Sequence, residues 1–259
     1  MMGFPASSDA NLRGEFASLL SELAEVEVGV VEAASYAELA SKLHEGSVQL
    51  AWLSPIPYIA LAHTGTVAPL VYHERATKHY ASALIVQADS HVKRVAELRG
   101  ARAAWVDKHS AAGYVVPRIE LAKAGVDPRS ELGDQKFFGS HEAVARAIAS
   151  READFGATFA HRDASGLSGP FTHPDVAASV RVLTTFGKIP SDLIAARADV
   201  PMEVRVRLTR GLRAMNANDT GRRVIHELFD IERFRLLDAE AYESLQAIAR
   251  NARDQGLLD

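Results

Sequence analysis

The chain has 259 residues, 47% of them apolar and 24% charged, with a net charge of −4. That is enough chain for one large core or two smaller ones, and the wrong charge for a general nucleic-acid or anionic-membrane binder. It has no cysteine, which excludes thiolate catalysis, disulfides and cysteine-based zinc sites. No run of about 18 apolar residues occurs, so no membrane-spanning helix is expected.

In chain order, the opening MMGFPASSDANLRGEF lacks the basic and apolar regions of a secretory leader. Two expectations follow, a cytoplasmic protein or one whose leader lies outside this chain. Strand-length apolar runs then alternate with helical patterns. Expected strands are VEVGVV (26–31), VQLAWL (48–53), VAPLVY (67–72), SALIVQ (82–87), ARAAWVD (101–107), QKFFGS (135–140), FGATFA (155–160), VRVLTTF (180–186) and DLIAAR (192–197). YAELASKLHEG aligns Leu39, Ala40 and Leu43 on one helical face, and HEAVARAIAS aligns Val144, Ala145 and Ile148. This alternation predicts an α/β protein with largely parallel sheets. SGLSGP (165–170) reads as a loop. Beyond Pro201 the pattern is all-helical and charged, about three helices.

One segment echoes another. VVEAASYAELASKLHEGSVQLAWLS and KFFGSHEAVARAIASREADFGATFA, aligned on Ser35 and Ser140, stand 105 positions apart. Each reads as strand, serine, helix, turn (at Gly46 or Arg151) and strand. Any two β-α-β units share that outline; the alternative is two similar lobes with a cleft between them. In such sheets ligands gather at the carboxyl ends of strands and at helix N-termini.

DKHSAAGY (107–114) joins an apolar strand to a helix, and the N–H groups of such a start can hold an anion. His109 and Ser110 lie in it, followed by Ala111 and Ala112. WLSPIPY ends a strand at Ser54, placed either as an N-cap or as a cleft-facing hydroxyl. Tyr36 and Tyr80 each sit at a strand–helix or strand-entry junction, as ligand-stacking rings or as packing residues. His109 and His161 end strands. None of the ten histidines has the spacing of a metal site. RVRLTRGLR (205–213) carries four arginines, read as a solvated helix face near Asp199 and Glu203.

AWLSPIPYIAL, VAELRGARAAWVDKHSAAGYVVPR, FFGSHEAVARAIASREADFGATFA and IPSDLIAARADVP follow one another in this order. Together they closely resemble the phosphate/phosphonate-type periplasmic solute-binding proteins of ABC importers, over nearly the whole chain. The resemblance implies the type 2 periplasmic-binding fold: α/β, two similar lobes joined by a double-crossover hinge, with a ligand cleft between them. Residues 1–86 with 188–259 are expected to form one lobe and 87–187 the other. It further implies a small oxyanion-bearing ligand, an ABC permease as partner, a periplasmic location, no catalysis, and no cofactor, nucleic acid or membrane insertion. The family's oxyanion turn, Asp-Pro-x-Ser-Thr-Ser-Gly-Tyr, falls on Ser110, Ala111, Ala112 and Gly113, and its ligand-facing tyrosines on Tyr36 and Tyr80. The family acid that receives a ligand amine falls near Phe159 to His161, where no carboxylate stands, and a second carboxylate is matched by Asp192.

These departures bear on the ligand. Two alanines replace two hydroxyl donors, each worth roughly 1.5–3 kcal/mol to a charged group, a loss of roughly 10²-fold in affinity. The expected ligand is therefore a carboxylate, a sulfonate or a larger, less charged molecule rather than phosphate or 2-aminoethylphosphonate. Two alternatives remain open at this stage. One is a cytoplasmic enzyme on the same scaffold, using His109, His161 and Asp192 as acid/base groups. The other is a sensory ligand-binding module.

Overall fold

The computed structural model describes residues 1–5, 9–34, 36–75, 79–164, 166–187 and 189–257. The chain begins β1 (Met2–Pro5), α1 (Ala10–Ala24), β2 (Val30–Ala33), α2 (Tyr36–Glu45), β3 (Leu50–Leu53), α3 (Pro55–His63), β4 (Val67–Glu74). It continues with β5 (His79–Gln87), β6 (Ala103–Trp105), α4 (Val116–Lys123), β7 (Gln135–Phe137), α5 (His141–Ala149), β8 (Phe155–Asp163), β9 (Gly166–Ser168) and β10 (Val180–Phe186). It ends with β11 (Leu193–Arg197), α6 (Met202–Ala214), α7 (Asp219–Phe229), β12 (Arg233–Arg235) and α8 (Ala239–Asp254).

These elements fold into two units, Met1–Ala76 with Pro190–Gln246, and Thr77–Ile189 with Ala247–Asp259. β5 lies in the second unit. There β8 and β10 pair with it on both edges.

Each unit is built on one sheet. The first has the order β12-β4-β11-β3-β1-β2, the second β10-β5-β8-β6-β7 with β9 folded back on β8. β1 runs parallel to β2 and β3, and β6 parallel to β7 and β8. The remaining pairs are antiparallel. The sheets are thus mixed rather than largely parallel, because β11 and β5 run back against β3 and β8. SGLSGP is not merely a loop, since Gly166–Ser168 pairs with His161–Asp163. The charged C-terminal stretch also contains a strand, β12, whose Phe234 is buried against the core while Arg233 and Arg235 pair with Glu74.

From the outer parallel strand inward the two sheets have one order: β2-β1-β3-β11-β4 and β7-β6-β8-β5-β10. The sequence echo therefore corresponds to β2-α2-β3 and β7-α5-β8, equivalent elements of the two units. The turns match too. Gly46 after α2 and Arg151 after α5 both have left-handed backbone, φ 86° and 64°. The conformation is costless for glycine and strained for arginine. Arg151 holds it while its guanidinium bonds Gln87 and Asp89.

The first core centres on Phe4, Phe16, Phe229 and Phe234, all at most 2% exposed, with ring centroids 5.2–6.4 Å apart. Each such ring contributes roughly 1.5–3 kcal/mol by leaving water. In the second unit one core packs α5 against β5 and β8 through Val144, Ile148 and Ile85. Another gathers Trp105, Phe155, Leu98 and Leu121.

Candidate functional site

At the carboxyl end of β6 the chain turns through Asp107 to Ser110 into a π-helical turn, Ala111–Val115, that runs on as α4. Asp107 Oδ1 accepts the His109 N–H at 2.6 Å, and Ser110 Oγ accepts the Gly113 N–H at 2.9 Å. Ser82 on β5, fully buried, donates to the Ala112 carbonyl at 2.7 Å. Gly113 is required by close approach, since a Cβ there would lie 2.3 Å from Val106 Cγ2. The N–H groups of Ala111 and Ala112 open the turn and precede any intrahelical acceptor. The Ser110 hydroxyl, although it accepts from Gly113, keeps its own proton to donate. The polar groups this turn presents are thus neutral donors, backbone N–H groups and one hydroxyl.

Beside it lies a group of rings. Tyr80 on β5 stacks on Phe159 of β8 at 6.1 Å between centroids and lies 5.3 Å from His161. Phe159 meets His161 at 5.2 Å and His141 edge-on at 5.0 Å. His141 opens α5 just after its N-cap, Ser140, whose hydroxyl accepts the Ala143 N–H. His141 Nδ1 lies 3.1 Å from the hydroxyl of buried Thr158. Burial lowers its pKa to about 4, against the opposing pull of Glu142 and Asp107, so its ring is neutral near pH 7.

The first unit offers different chemistry. Ser54 caps α3 with extended backbone, but its side chain makes no capping bond. Pro57 occupies the third helical position, where the amide that usually serves an N-cap hydroxyl would be, and carries no N–H. Ser54 Oγ is consequently buried without a partner among the described residues. Two residues earlier, Trp52 Nε1 donates to Asp192 Oδ2 at 2.9 Å. Burial raises the Asp192 pKa, opposed by Arg75 and by the bond from Trp52. Tyr36 is the first residue of α2; its side chain and Ser35 lie outside the described residues.

The structure thus brings His109, Ser110, Ala111 and Ala112 into one turn, and Tyr80, Phe159 and His161 into one ring group. Ser82 on β5 bonds the turn. Ser54 and Asp192 belong to the other unit, joined through Trp52. The residue reading of the sequence passed over His141, Thr158, Ser82 and Trp52. His141 had a signal, because the internal echo sets it against Tyr36. Among the described residues no three His, Asp or Glu side chains gather at metal-binding range.

A family model described as the periplasmic substrate-binding protein of phosphonate ABC transporters matches residues 4–242. The chain belongs to this family. Among phosphonate-type binding proteins it is similar to the phosphate-import protein PhnD of Mycolicibacterium smegmatis, 25% identical over 173 residues. That match takes in 61% of this chain and 54% of the relative, so the chain spans about half the length of the curated relative it matches. A solved Xanthomonas citri protein bound to ATP superposes with a TM-score of 0.85 at 20% identity, covering 99% of this chain and 98% of that one. PhnD1 of Prochlorococcus marinus, in complex with methylphosphonate, gives 0.76 at 17% identity, with 97% of both chains covered. The alkanesulfonate-binding protein of Xanthomonas axonopodis, bound to MOPS, gives 0.65 at 20% identity, covering 100% of this chain and 93% of that one. The fold is accordingly that of the type 2 periplasmic binding proteins. No helix among the described residues is long and apolar enough to cross a membrane.

Proposed function

We propose that this phosphonate-type binding protein takes up a small monoanion, a sulfonate or carboxylate with a flat or apolar body, and presents it to an ABC permease in the periplasm. In this reading the protein binds its ligand and performs no chemistry on it. The observation that carries it is the Ser110 turn. Its donors are neutral, positions 111 and 112 have no hydroxyl, and the adjacent His141 is uncharged. Such a cradle suits one delocalised negative charge better than a phosphate dianion, for which each missing charged-group hydrogen bond costs roughly 1.5–3 kcal/mol. Tyr80, Phe159 and His161 supply faces against which a flat ligand body stacks. Ser54, with its unpartnered hydroxyl, and Asp192 are assigned to the ligand from the first unit, together with Tyr36.

Calorimetric titration of the purified protein with alkane- and arylsulfonates, carboxylates, phosphate and methylphosphonate tests the reading. Sulfonates or carboxylates are expected to bind at least tenfold tighter than phosphate. Tightest binding by methylphosphonate or phosphate overturns the ligand assignment, and turnover of any bound compound overturns the transport role.

A further inference from the structure

We infer that the first unit carries a second ligand site, unrelated to the Ser110 turn, for a small organic polyanion with an apolar part. A cavity of about 380 Å³ lies between β4, α6 and the residue after β12. Pro69, Leu70, Met202, Val206 and Leu236 form its apolar walls, and Arg205, Thr209, Arg210 and Arg213 its polar ones. That volume is within the usual range for small-molecule sites, about 300–1,000 Å³.

The helix explains why these residues converge. At 3.6 residues per turn, Arg205, Thr209, Met202, Arg213, Val206 and Arg210 fall within an arc of roughly 140°. Arg207 falls on the opposite side, where its guanidinium bonds the carbonyls of Ala24 and Glu25. The sequence reads these arginines as a solvated helix face near Asp199 and Glu203, and Arg210 and Arg213 are exposed. The nearby acids have other partners: Asp199 is engaged by Arg197, and Glu74 by Arg233 and Arg235 of the neighbouring strand.

Arg205, Arg210 and Arg213 form no ion pair with any described residue. Arg205 Nε is in addition buried with no hydrogen-bond partner. A buried guanidinium N–H without an acceptor costs free energy that a bound anion would recover. Three unpaired guanidinium groups around one cavity, in a molecule whose net charge is −4, make this a local reversal of charge. Met202 and Val206 are 65% and 49% exposed and Leu236 51%, which provides apolar surface beside the cations. A ligand with two or more negative charges and an apolar body satisfies both features. The cavity's volume favours a small molecule over a peptide.

The test titrates the intact protein with 1-naphthyl phosphate, pyrophosphate, 1-naphthol and an acidic Glu/Leu octapeptide at 50 and 200 mM salt. Naphthyl phosphate is expected to bind tightest, and to weaken several-fold at the higher salt as exposed charges are screened. The double variant R205M/R213M is expected to lose at least tenfold in affinity, R210M about threefold, and R213K to retain most of it. A thermal midpoint unchanged in R210M and R213K separates loss of the site from loss of the fold. Equal binding by R205M/R213M, binding of naphthol as tight as that of its phosphate, or binding of the octapeptide alone overturns the inference.

Discussion

The helices that follow β1 and β6 occupy equivalent places in the two sheets, yet they begin differently. α1 starts at Asp9, whose carboxylate accepts the N–H groups of Asn11 and Leu12, both at 2.9 Å. The turn after β6 starts at Ser110, whose hydroxyl accepts only the Gly113 N–H. In the first unit the positive end of the helix is already occupied by a fixed negative charge. In the second it is capped by a neutral group. One architecture used twice thus carries a carboxylate cap at one helix start and a hydroxyl cap at the other.

The largest expected effect concerns charge in the second unit. Folding withholds a proton from His141, whose pKa falls from about 6.5 to about 4. The unfolded chain takes that proton up below about pH 6.5. Stability is therefore lost as the pH falls through this window, and this contribution levels off below about 4. The full shift corresponds to about 3 kcal/mol. Denaturant titrations at pH 7 and 4.5 are expected to show that fall in the wild type and a shallower one in His141→Gln. An unchanged slope removes His141 from the account. His73 in the first unit, fully buried among Trp52, Phe229 and Phe234 and likewise lowered by burial, adds a fall of the same sign. A His73→Phe variant apportions the total between the units.

Next in size is Gly113→Ala. Its new methyl group would press on Val106, at a cost of about 2 kcal/mol in overpacking, and ligand binding should be lost with the turn. Full affinity in this variant would place the oxyanion elsewhere. Ser54→Ala sharpens the contrast from the first unit. Because the hydroxyl is buried without a partner, its removal should leave the melting temperature unchanged or raised. Affinity for the ligand should fall about tenfold, equivalent to 1.4 kcal/mol. A clear fall in melting temperature would mean the hydroxyl serves the fold. The smallest effect is at the paired turns. Gly46→Ala should cost about 1 kcal/mol, whereas Arg151→Gly should change stability by less, since relieved backbone strain offsets the lost contacts to Gln87 and Asp89. A larger loss from Arg151→Gly would show that its side-chain contacts outweigh the strain.

The family, the fold and the doubled β-α-β element were legible because they depend on long ordered blocks and on Leu39, Leu43, Val144 and Ile148 recurring at helical spacing. β1 was not legible. Its four residues, MGFP, include glycine and proline, which weaken any strand signal, although Met2 and Phe4 are wholly buried in the sheet. β12 offered only Phe234 between two arginines, and its pairing depends on Glu74, distant in sequence. The antiparallel return of β11 and β5 could not be read because strand direction is set by tertiary pairing. At the site, the Ser110 turn followed from local chain chemistry. His141 was legible only through the internal echo that sets it against Tyr36, because a histidine at a helix start looks ordinary until Thr158 and Phe159 are brought beside it. The free arginines of α6 escaped for the converse reason: Asp199 is close in sequence but committed to Arg197.

The chain has two tryptophans, one in each unit. Trp105 is wholly buried and donates to Gln135, whereas Trp52 is partly exposed and donates to the Asp192 carboxylate. The protein therefore carries its own pair of fluorophores, a shielded one emitting towards the blue and a quenchable one emitting towards the red. Replacing either by phenylalanine would leave a single lamp in a single unit, so the melting of each half could be followed without attaching a dye.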